Sequence, residues 1–209
     1  MITVQERTSA SSGLSRIPQS KKFIVFLMAL VLVGVLIGTL AFCNMSTGEI
    51  SDLSFITQGF IKNRAAQTFF ETLSASFTSA GFLVLLCFLL GFGAISQPAE
   101  LLIPIFRGIG LGTSIAYIYT SYGTRGFFIT LVIIVPHAVI SSVAIVIAAR
   151  ESMRMSNLFT GYAFTSGRET EMRTNIKLYL LKFLVLFAII GISSFLDSIL
   201  TFLFAGILL

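Results

Sequence analysis

His137 is the single histidine in the 209-residue chain, and its neighbourhood sets what chemistry is open. Pro136 precedes it. Inside a helix a proline removes a backbone donor and clashes with the preceding turn, so a kink and a freed carbonyl near residue 132 are predicted. Ten residues from Phe127 at the helical rise place His137 about 15 Å into its apolar stretch. Asp197 interrupts the last apolar stretch at a similar depth, measured inward from the C-terminal end. Ionisable groups so deep in a bilayer are costly and turn to a bundle interior. Three arrangements are open. His137 bonds a carbonyl or Ser141 while Asp197 bonds Ser193 or Ser194; the two bond each other; or together they line a proton or ion path.

Enzyme chemistry finds little support. One histidine excludes every mechanism that needs two, and no HExxH segment is present. Gly112-Thr113-Ser114 with His137 distantly resembles an intramembrane serine protease, but the second glycine after the serine is missing. Cys43 and Cys87 differ in depth by about 15 Å, beyond the roughly 7 Å Cα limit of a disulfide, and both read as small buried apolar residues. Two cysteines build neither a disulfide framework nor a four-thiolate metal site. Gly108-Ile109-Gly110-Leu111-Gly112 has the look of a nucleotide-binding loop, but that signal needs a strand before it and these glycines lie inside an apolar span. No catalytic, cofactor-binding or metal-ligating residue is predicted, and no nucleic acid.

The elements that must position His137 and Asp197 are set by composition. The chain is 56% hydrophobic and 11% charged, with a mean hydropathy of +0.96. Soluble domains carry roughly 25% charged residues, so too little charge is present to cover a water-facing surface. An all-α, polytopic integral membrane bundle is predicted, with the lipid bilayer as its first partner. About 20 apolar residues span a bilayer, and five stretches qualify: 23–43, 77–95, 101–121, 127–149 and 183–204. Residues 1–22 read as a disordered cytoplasmic tail and 23–209 as one transmembrane domain. The first span is too long for the apolar core of a signal peptide.

With a cytoplasmic N-terminus, the inner segments hold eleven Lys and Arg, among them Arg107, Arg150, Arg154 and Lys182; the outer segments hold Lys62, Arg64 and Arg125. That asymmetry places the N-terminus inside and, with five spans, the C-terminus outside. Tyr122–Gly126 predicts a tight hairpin between spans three and four. Outer segment Asn44–Ser76 is mildly acidic, and its Phe60-Ile61, Phe69-Phe70, Leu73 and Phe77 predict an interfacial amphipathic helix. Inner segment Arg150–Leu181 is the largest cytoplasmic surface.

Small residues recur every four positions at Gly108, Gly112, Ala116 and Thr120, and again at Gly34 and Gly38. Helices in lipid associate through close van der Waals contact, which small residues permit. Packing within the chain, or a groove for a partner, would use such a stripe.

From the second span onward the chain resembles the stage II sporulation protein M family. The resemblance rests on LLGFGAISQPAELLIPIFRGIGLGTSIAYIYTSYGTRGF and IIVPHAVISSVAIVIAARESMRMS. Gly91, Gly108, Gly112, Gly123, Gly126, Pro136 and Arg150 fall where the family pattern expects them. Many relatives outside the sporulation group carry Gly after the Pro-His pair and Glu three positions on, where this chain has Ala138 and Ser141. The resemblance implies a non-enzymatic scaffold in the mother-cell membrane that recruits stage II sporulation proteins D and P, which cleave peptidoglycan during forespore engulfment. Homo-oligomerisation is left open. A permease subunit using His137 and Asp197 as a polar path is the competing reading.

Overall fold

The computed structural model describes residues 21–44, 69–93, 96–163 and 169–208, all-helical apart from short turns. Helix α1 is Lys21–Cys43, α2 Phe69–Leu90 and α3 Gln97–Ile129; a π-helical turn, Thr130–Ile134, leads into α4 Val135–Ala163, and α5 is Glu169–Leu208. Five helical segments are long and apolar enough to cross a bilayer: Lys21–Cys43, Phe69–Leu90, Gln97–Thr120, Tyr122–Thr160 and Arg173–Leu203.

Each helix starts, stops or bends for a local reason. Pro98 sits in the first turn of α3, where its missing N–H costs nothing. Gly123 breaks α3 with φ 57° and ψ −133°, a left-handed conformation that glycine alone adopts cheaply. A Cβ placed on Gly126 would lie 3.0 Å from the carbonyl carbon of Ile118. In a straight helix those residues stand about 12 Å apart, so the chain folds back here, as the Tyr122–Gly126 hairpin requires. Pro136 is the second residue after the π turn. A widened turn is one way a helix absorbs a proline that cannot donate to residue 132.

Span two starts earlier than its hydropathy indicates. It was expected at 77–95, but α2 begins at Phe69 and ends at Leu90. Its buried stripe is Thr72, Ser76, Ala80, Val84 and Cys87, and the hydroxyls at its start depress the hydropathy of a segment that is nonetheless inside the bundle. Phe69, Phe70, Leu73 and Phe77 therefore belong to a spanning helix and not to an interfacial one. Phe60 and Ile61, like the tail 1–20, lie outside the described residues. Cys43 is exposed, contrary to expectation, because α1 ends there; Cys87 is buried.

Helix α1 lies along α3, α2 packs on α5 and α4, and α4 joins α3 to α5. Leu27, Val84, Ile145, Phe183 and Ile190 are fully buried. Leu32, Leu36, Leu184 and Phe202 are among many large apolar side chains turned outward, as a lipid-facing surface requires.

Candidate functional site

Three regions contain the residues singled out by type and spacing. The first is the crossing of α1 and α3. A Cβ on Gly34 would lie 3.0 Å from the Cα of Gly108, and one on Gly108 would lie 2.8 Å from the Cα of Gly34. Gly38 faces the backbone of Ile109 in the same way, at 2.9 Å from its Cα, and Gly112 faces the carbonyl carbon of Val35 at 2.9 Å. All four positions are closed to any side chain, because what a Cβ would meet is backbone. Ala116 continues the seam, buried in a cluster with Phe42 and Tyr117; Thr120 is exposed, so the stripe stops one residue type short. The small residues thus join two helices of one chain.

The second region is a polar belt around Asp197, in which α2, α3, α4 and α5 each supply a side chain. Asp197 is fully buried, and its Oδ2 accepts a hydrogen bond from Ser76 on α2. His137 Nδ1 lies 2.9 Å from Ser193 Oγ and 3.2 Å from the Ser193 carbonyl, and Ser193 Oγ lies 3.2 Å from the His137 carbonyl. Ser141 donates to the His137 carbonyl at 2.7 Å. Arg107 Nη2 donates to Ser141 Oγ at 2.5 Å, bringing a guanidinium into the same belt as Asp197.

Arg107 was not anticipated here. By sequence it counted among the inner basic residues at one end of a span; in the structure it stands ten residues into Gln97–Thr120, side chain turned into the bundle. Without it the inner count falls to ten, still well above the three outer residues. A buried carboxylate in lipid needs a cation or a proton, and that rule was the available signal for seeking a basic partner on a neighbouring span.

The third region was missed. Glu100, at the start of α3, is fully buried. Its Oε1 accepts from Ser152 Oγ at 2.7 Å and Ser96 Oγ at 3.1 Å. Ser152 also reaches the Cys87 carbonyl at 2.5 Å, Ser156 the Gly93 carbonyl at 2.6 Å, and Tyr179 the Phe88 carbonyl at 2.9 Å. These bonds satisfy carbonyls left open where α2 ends, tying the α2–α3 turn to α4 and α5. A Cβ on Gly91 would lie 2.9 Å from Tyr179 Cζ, so glycine there admits the tyrosine ring. Phe88 and Phe183 pack on that ring, with centroids 5.5 and 4.6 Å away.

The two belts are separated by apolar side chains. Ser76 and Cys87 on α2, and Ser141 and Ser152 on α4, are each eleven residues apart, about 16 Å of helix. Ala80, Val84, Ala144, Ile145, Val146, Phe183, Leu186 and Ile190 fill the space between, all buried in one core cluster. Among the described residues, no three His, Cys, Asp or Glu side chains are grouped closely enough to hold a metal ion. Ser114 donates to the carbonyl of its own helix at Gly110, 2.8 Å away.

A family model described as Stage II sporulation protein M matches residues 24–205. No curated protein and no solved structure matches the chain. The family match covers nearly all of the sequence, far beyond the two segments that first carried the resemblance. The chain belongs to the stage II sporulation protein M family, and is a sporulation-related, multi-pass membrane protein.

Proposed function

We propose that the protein is a non-enzymatic scaffold in the mother-cell membrane that holds peptidoglycan-degrading partners, stage II sporulation proteins D and P, at the site of forespore engulfment. The N-terminus is cytoplasmic and the C-terminus extracytoplasmic in this reading, supported by the basic asymmetry that survives the removal of Arg107. Segment 44–68 then faces the outside, where enzymes acting on the cell wall work, and is the surface on which partner binding is expected.

The observation that carries the reading is the dry layer between the belts. A permease would need polar groups or water from one face to the other. Here close-packed Val, Ile, Leu and Phe side chains divide the two belts, over about 16 Å along α2 and α4 and about 10 Å along α3 between Arg107 and Glu100. Each belt instead does what an anchor needs: it fixes helices to one another by bonds that lipid cannot replace. Affinity purification of the tagged protein from sporulating cells tests the proposal. Proteins D and P should co-purify, and should be lost when 44–68 is replaced by a neutral linker of equal length. Recovery of an ATPase in their place, dependent on Arg150–Leu181, would support the permease reading instead.

A further inference from the structure

Helices α4 and α5 leave a groove at the end of the bundle where their apolar stretches stop. On α4 the apolar run ends at Ala149 and Arg150 follows; on α5 Lys182 precedes the run that starts at Phe183. The groove therefore lies at the level where hydrocarbon gives way to headgroups. It is lined by Arg154 and Lys182 on its polar side and by Met155, Leu158 and Leu178 on its apolar side, with Glu151 as its only carboxylate among the described residues.

The charges in it do not balance. Lys182 Nζ and Arg154 Nη1 approach the same Glu151 oxygen, at 2.6 and 3.8 Å. Their side chains remain 43% and 49% exposed while Glu151 is only 11% exposed. Among the described residues, two cations thus share one carboxylate. Leu178, beside them, is an exposed apolar side chain. A phosphate held next to a hydrocarbon surface at bilayer depth is the chemistry of a lipid; a free inorganic anion would have no use for the leucine and methionine wall.

We propose that this groove seats an anionic phospholipid, its phosphate between Arg154 and Lys182 and its acyl chain against Leu178. Basic side chains at a membrane surface each contribute roughly a five-fold gain in anionic-lipid affinity, so the pair defines a preference that can be measured. The site is independent of what the protein recruits.

The test is a titration of the full-length protein in detergent micelles with phosphatidylglycerol or phosphatidylcholine, bound lipid being counted by native mass spectrometry. Wild type should bind phosphatidylglycerol at least ten-fold more tightly than phosphatidylcholine, a bound taken as about half the combined gain of two cations. Arg154→Gln, which breaks only the 3.8 Å contact, should weaken phosphatidylglycerol about five-fold, and Arg154→Gln/Lys182→Gln about 30-fold. Glu151→Gln should bind at least as well as wild type, because it frees both cations. Lys21→Gln/Lys22→Gln, equal in charge but on α1, should weaken phosphatidylglycerol binding less than Arg154→Gln/Lys182→Gln does. The proposal is overturned if wild type does not discriminate between the lipids, if Arg154→Gln binds as wild type does, or if the α1 variant loses as much. Full displacement of the lipid by glycerol phosphate would also overturn it, by making the site one for a soluble phosphate.

Discussion

The α1–α3 crossing and the Asp197 belt both join helices inside a bilayer, and they do so by opposite means. Around the four glycines of the crossing, the polar contact between the helices is one long bond, Thr39 Oγ1 to the Gly112 carbonyl at 3.4 Å. Adhesion comes from what is missing: without side chains at Gly34, Gly38, Gly108 and Gly112, two backbones touch. At the belt, adhesion comes from groups that lipid cannot satisfy, a guanidinium, a carboxylate, an imidazole and serines drawn from four helices. The first seam tolerates no added bulk and the second no removed partner. Substitutions that are mild in one should therefore be severe in the other.

The largest effect is expected from breaking the belt. Asp197→Ala removes the fully buried carboxylate that Ser76 bonds and that offsets the charge of the half-buried Arg107, and should cost up to the roughly 3–5 kcal/mol of a broken buried ion pair. Unfolding of the purified protein in micelles should show that loss, and Arg107→Met/Asp197→Leu should regain most of it. If Asp197→Ala were no less stable than wild type, Arg107 would be reached by water and the belt would not be the dry seam described. Next comes the crossing. Gly112→Leu should cost at least the roughly 1–3 kcal/mol typical of overpacking, since α1 must move away as a whole. Gly110→Leu, two residues earlier, faces open space and should stay within about 0.5 kcal/mol. Equal tolerance at both would mean that α1 does not close on α3.

These two seams were not equally legible in the sequence. Glycines at a spacing of four advertise a close approach, because little else in an apolar helix needs them; Gly34, Gly38, Gly108 and Gly112 could be read directly. His137 and Asp197 stood out as ionisable residues in apolar surroundings, and Ser141 and Ser193 could be named as partners from their place on the same helices. Yet Ser193 bonds His137 across helices and Ser76 bonds Asp197, because cross-helix partners depend on which helices are neighbours, which periodicity along one helix does not encode. Arg107 resembled a residue at a span's end because positive charge usually marks one. Glu100 falls between the predicted spans 77–95 and 101–121, where a charged residue attracts no notice. Thr72 and Ser76 hid the true start of α2, since their hydroxyls lower the local hydropathy while being bonded inside.

A smaller effect sharpens the comparison by asking whether the Glu100 belt behaves like the Asp197 belt. Ser152→Ala removes the hydroxyl shared by Glu100 and the Cys87 carbonyl; each acceptor keeps a second donor, Ser96 and the Gly91 N–H, so the loss should be about 0.5–1.5 kcal/mol, the net worth of a hydrogen bond. A change within error would mean that the turn is held by Tyr179 and the aromatic packing alone. The smallest effect belongs to the partly exposed pair at the helix ends. Glu151→Gln should alter stability by about 0–1 kcal/mol, as surface ion pairs do, and a larger loss would make that pair a third structural seam.

The central claim is that the buried ionisable groups hold the scaffold together and move nothing through it. It is tested most directly in sporulating cells with His137→Gln/Arg107→Gln/Asp197→Asn, which removes the titrating groups of the Asp197 belt while leaving each position able to hydrogen-bond. Engulfment is scored by membrane-stain microscopy against the amount of the protein in the membrane. The account predicts that a variant present at wild-type level completes engulfment at the wild-type rate. A variant present at that level but stalled at the flat septum would contradict it, because titration of the belt would then be part of what the protein does.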